Sequence, residues 1–240
     1  MSAALAIPVS QLSPSTSRQW LLAHVLAQLV CLGTAAGVYG LSHVIGATDP
    51  AAGQAMKTLA LVLGLATELI YVVALAMLRG TVLRRVLPGF PMLAWTFAVT
   101  GALMFVPLLL AVTGSNAAPI KTVPQLTNAM LLSGFGFVVV LGFVFGLLVG
   151  SVEALVLRKV ARGGGQWIKW SGFAWGGAMV AVYATGLIAV KNPQLSIASL
   201  AVLSVVMKIA QGLMIGAATL PALERLEPRY QADLKPAVAA

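Results

Sequence analysis

The chain has 240 residues, 60% of them hydrophobic and 9% charged, with a formal net charge of +9. A soluble domain carries roughly a quarter of its residues as charges, so that class is excluded. The basic excess does not indicate nucleic acid, because the Lys and Arg fall between apolar runs rather than on one patch.

Residues 1–17 are rich in Ser, Pro and Ala and lack the basic n-region of a secretory signal, so a flexible cytoplasmic tail is expected there. Six apolar runs follow, at residues 19–45, 55–78, 92–113, 124–157, 168–190 and 195–223. About 20 residues at ~1.5 Å each cross a ~30 Å hydrocarbon core, so each run is a transmembrane helix candidate. The single cysteine, Cys31, lies inside the first run and forms no intrachain disulfide. Asp49-Pro50, Gly114-Ser115-Asn116 and Asn192-Pro193 supply turn chemistry between spans. Pro107 falls inside the third span and Pro124 suits the first turn of the fourth. Gly163-Gly164-Gly165 reads as a flexible connector, and residues 227–240 as a second cytoplasmic tail.

One set of loops carries Arg18, Arg79, Arg84, Arg85, Arg158, Lys159, Arg162, Lys169, Arg225, Arg229 and Lys235. The other carries Lys57, Lys121 and Lys191. Positive-inside asymmetry then places both termini in the cytoplasm, in a plasma (inner) membrane. Trp20, Trp95, Trp167 and Trp170 fall near the cytoplasmic ends of the odd spans, where amphipathic rings favour the headgroup level.

Trp20, Trp95 and Trp170 recur at a spacing of about 75 residues. The basic stops VLRRV (82–86) and VLRKV (156–160) have nearly the same period, with ALERL (222–226) as a degenerate third copy. The expected fold is all-α. It is a six-helix transmembrane domain over 18–226, made of three parallel two-helix units at about 18–86, 92–160 and 168–226 in a pseudo-threefold arrangement. Gly146, Gly150, Glu153 and Val156 to Lys159, followed by the Trp170 helix, form a pattern of GxxxG, polar residue, VLR[RK] and Trp. That pattern resembles a repeat in bacterial polytopic membrane proteins of uncharacterised function. The resemblance implies topology and no activity. Arg79 stands at the polar position of the first unit, and Glu224 interrupts the basic stop of the third.

Gly142, Gly146 and Gly150 line one face of the fourth span, as Gly212 and Gly216 do in the sixth. In lipid, close backbone approach at small residues drives helix contact, so these are packing positions, a homo-oligomer face or a sliding seam in a transporter. Glu153 ends the glycine face, with Arg79 or another basic helix end as a candidate partner. Glu68 and Lys208 lie deep in the second and sixth spans, about 19 Å from the outer ends by helical rise. Either charge alone costs about 2.5–3.5 kcal/mol at the bilayer centre. A Glu68–Lys208 ion pair at the bundle centre is therefore expected, with Gly142 leaving room in the equivalent middle position. Tyr71, Ser204 and Gln211, one turn away, would satisfy its remaining groups. His24 and Gln28, one turn apart, suit a hydrogen-bonded helix histidine.

No metal-ligand set, haem pair, phosphate loop or nucleophile–base constellation is present, so neither cofactor nor enzymatic activity is expected. The expected surroundings are the lipid bilayer, with a membrane-protein partner or a second copy. The expected function is a non-enzymatic accessory or assembly component of a membrane complex. The alternative is a small ion- or proton-coupled transporter or channel using the Glu68–Lys208 buried pair.

Overall fold

A computed structural model describes residues 13–46, 53–114, 127–192 and 194–229. The turn residues Asp49, Pro50, Ser115, Asn116 and Pro193, together with Lys121, Pro124, Lys235 and most of both tails, lie outside them. Six helices form: α1 (Pro14–Val44), α2 (Gln54–Val86), α3 (Met92–Gly114), α4 (Asn128–Leu157), α5 (Gly164–Lys191) and α6 (Ile197–Glu224). All six are long and apolar enough to cross a membrane, as a multi-pass membrane protein requires.

Local chemistry moves several boundaries from those expected. Ser13 accepts a hydrogen bond from the Thr16 amide at 3.3 Å, and Pro14 occupies the first turn, so α1 begins inside the expected tail. The VLRRV stop is not a loop but the last turn of α2, which ends at Val86. Its Arg84 and Arg85 favour the negative end of the helix dipole. Of the three connector glycines, only Gly163 lies outside α5. Its φ of 98° is accessible to glycine, whereas Gly164 and Gly165 start the helix. The second tail is pinned at its start. β1 (Ala161–Arg162) pairs antiparallel with β2 (Glu227–Pro228), and the Arg229 amide donates to the Val160 carbonyl at 2.9 Å.

Each helix packs on its neighbours in sequence, and α6 returns to α1, closing a ring. Burial within the ring is uneven. Toward the end that carries Arg84, Arg85, Arg158 and Arg225, hereafter the basic end, every helix has buried positions. They run from Trp20 to Cys31, Thr67 to Leu83, Trp95 to Met104, Gly142 to Leu157, Gly164 to Ala181 and Gln211 to Leu223. Among the described side chains of the far half, Ser42 is the buried one. Large apolar groups there, such as Val44 and Ile197, stand exposed, as lipid-facing residues do.

Candidate functional site: a guanidinium enclosed by three indoles

The small residues set how closely the helices approach. Gly142, Gly146 and Gly150 bring α4 onto the backbone of α5. A methyl group at Gly150 would lie 2.7 Å from Ser171 Cβ and 3.0 Å from Ile168 Cα. Gly212 and Gly216 do the same for α6 on α1, where a methyl at Gly212 would lie 2.9 Å from the His24 carbonyl oxygen. The packing role of all five is thus within the chain. Gly142 faces Met179 and Trp175 of α5, so its missing side chain makes room for that helix and not for Glu68 and Lys208.

This close approach carries Glu153 of α4 into the bundle opposite Arg79 of α2. The two are 1% and 2% exposed. Nη1 meets Oε1 at 2.5 Å and Nη2 meets Oε2 at 3.0 Å, a two-pronged ion pair. In the ring α3 separates α2 from α4, so the pair reaches across the bundle. Trp20, Trp95 and Trp167, each 0% exposed, surround the guanidinium, whose carbon lies 5.3, 5.4 and 5.7 Å from their ring centroids. The negative faces of the indoles attract a desolvated cation. Trp167 packs edge to face with Trp20 at 5.8 Å and with Trp95 at 6.3 Å.

Each indole N–H also donates to the helix before its own in the ring. Trp20 donates to Thr219 Oγ1 at 3.0 Å, Trp95 to the Ala76 carbonyl at 3.0 Å and Trp167 to Glu153 Oε2 at 2.5 Å. These three rings are therefore core residues and not headgroup anchors. Trp167, not Trp170, is the third member. Trp170 is half-buried beside Phe173 and Lys169, and its indole nitrogen has no partner among the described residues.

The expected partnership of Glu153 with Arg79 is present, and the expected Glu68–Lys208 ion pair is not. No nitrogen of Lys208 lies within 4.0 Å of a Glu68 oxygen, and both side chains are partly exposed. The reason is positional. α2 and α6 both flank α1, and the Lys208 ammonium is engaged by the Cys31 thiol of α1, on which Glu68 also acts electrostatically. Lys208 Nζ faces the Tyr71 ring at 6.0 Å.

The supporting residues have other roles. Tyr71 accepts from Gln28 Nε2 at 2.7 Å, Ser204 donates to the Leu200 carbonyl at 2.8 Å, and Gln211 has no hydrogen bond among the described residues. His24 is a hydrogen-bonded helix histidine, with Nδ1 3.0 Å from the Trp20 carbonyl. Since a carbonyl can only accept, Nδ1 carries the proton. His24 Nε2, Gln28 Oε1 and Arg79 Nε are buried without partners among the described residues.

The enclosing indoles could not be assigned as a set from sequence, because they converge through helix rotation. The available signal, a spacing of about 75 residues, marked Trp20 and Trp95 but pointed to Trp170 in place of Trp167. Among the described residues, no three His, Cys, Asp or Glu side chains come together to hold a metal ion. Compared with known protein families, characterised proteins and solved structures, the chain has no match.

Proposed function

We propose that the chain is a non-enzymatic component of a plasma-membrane complex, with both termini cytoplasmic and an accessory or assembly role. The observation that carries this reading is the closed basic end. Arg79 is neutralised by Glu153 and enclosed by three fully buried indoles. A water-filled passage needs a continuous polar lining, which this plug interrupts. The far half, by contrast, leaves long apolar helix faces for lipid or for a partner's helices. The gathering of Arg84, Arg85, Arg158 and Arg225 at one end supports the orientation.

Three parallel two-helix units around a pseudo-threefold axis account for the cyclic indole bonds. The Trp of each unit donates to the last helix of the unit before it, and Trp20 of the first unit donates to Thr219 of the third. Arg79, Glu153 and Thr219 then occupy equivalent positions. The test is purification in mild detergent. The reading expects a stoichiometric membrane partner. A chain that purifies alone and carries pH-dependent flux in proteoliposomes contradicts it.

The second reading, a small ion- or proton-coupled carrier, is favoured by one observation. Glu68 and Lys208 form no ion pair with each other and stay partly exposed beside Cys31, at the boundary between the dense and the loose halves.

A further inference from the structure

Between α5 and α6, where the dense half ends, lies a cleft of about 220 Å³. Val182 and Met207 give it apolar walls, and Thr185, Ser204, Lys208 and Gln211 give it polar groups. The two hydroxyls are occupied as donors. Thr185 Oγ1 donates to the Ala181 carbonyl and Ser204 Oγ to the Leu200 carbonyl, each at 2.8 Å. Lys208 and Gln211 are different. Lys208 has no carboxylate within 4.0 Å among the described residues, and its hydrogen bond to the Cys31 thiol uses only one of its three donor protons. Gln211 is only 7% exposed, yet its amide has no hydrogen bond among the described residues. The two are one helical turn apart, so an ammonium and an amide N–H can converge on one ligand.

The amide and the ammonium protons not taken by Cys31 are donors in an apolar setting, and the ammonium is cationic. A cation at membrane depth without a counter-charge is costly, and a single negative charge with two oxygens matches the pair. From the start of α6, Lys208 is about 17 Å along the helix by its rise, close to the middle of a ~30 Å hydrocarbon layer. The anchored phosphate of a phospholipid does not sit at that depth, whereas a small diffusible acid can reach it.

We infer that the α5–α6 cleft binds a small organic monocarboxylate, its oxygens on Lys208 and Gln211 and its apolar body against Val182 and Met207. Glu68, which shares the Cys31 neighbourhood with Lys208, is the chain's own competing carboxylate. The site stands whether the chain is an accessory component or a carrier, so a failed search for a partner does not bear on it.

The test is equilibrium dialysis of labelled hexanoate against the full chain in phosphatidylcholine nanodiscs, with hexanol as the uncharged control. Saturable binding of one hexanoate per chain is expected, at least tenfold tighter than hexanol. Lys208→Met should abolish it and Gln211→Leu should weaken it about threefold to tenfold, with thermal midpoints at or above that of the unaltered chain. Glu68→Gln should tighten it severalfold. Hexanoate binding no better than hexanol, or a folded Lys208→Met chain that binds as before, would overturn the assignment. So would phosphatidylglycerol in the disc displacing hexanoate competitively, since the occupant would then be a lipid headgroup.

Discussion

At Arg79 a lysine would keep the charge but lose the planar fork that meets both oxygens of Glu153, as well as the flat group that faces three indoles. Arg79→Lys is expected to lower the unfolding free energy by about 1–3 kcal/mol, read by reversible unfolding in mixed micelles. Lys208 and Glu68 should behave in the opposite way. Without a mutual ion pair, Lys208→Met removes an uncompensated charge and should leave stability unchanged or raised. Its effect should add to that of Glu68→Gln to within about 1 kcal/mol, the remainder reflecting the Cys31 neighbourhood they share. Coupling above about 1 kcal/mol in the same assay would mean that the two ions do pair in the bilayer.

Among the helices, the glycines divide by what lies opposite them. Gly146 and Gly150 abut α5, whereas Gly33 and Gly37 of α1 have open space where a side chain would be. Leucine at Gly146 or Gly150 should therefore separate α4 from α5 and prevent recovery of folded protein. The same change at Gly33 or Gly37 should leave the thermal midpoint within a few degrees. Gly163 presents a different constraint. Its positive φ, and the Arg225 carbonyl 2.6 Å from an added methyl, should make Gly163→Ala destabilising by about 1–3 kcal/mol. Helix number and the glycine faces were legible in the sequence because they follow from run length and from spacing of four residues, whereas for Glu153 the sequence offered Arg79 only as one of several basic ends. The Glu68–Lys208 pair misled because equal depth says nothing about where a side chain turns, and Lys208 turns to Cys31 and the Tyr71 ring. The start of α1 inside the expected tail came from a Ser–Pro cap that composition alone obscures.

Taken whole, the bundle is a ring that sequence-adjacent contacts close and that one ion pair crosses. The crossing lies within the dense half, so the basic end should act as one cooperative unit while the far helix ends fray first. Amide exchange in detergent should show strong protection around Arg79, Glu153 and Trp167 and weaker protection in residues 54–66 and 197–206. The central claim is that Arg79 and Glu153 together hold the basic end shut. A double-mutant cycle of Arg79→Met and Glu153→Gln, followed by equilibrium unfolding, tests it most directly. Each single change should cost about 3–5 kcal/mol by stranding a buried partner, and the double change should cost at least 2 kcal/mol less than their sum. Singles that simply add would contradict it.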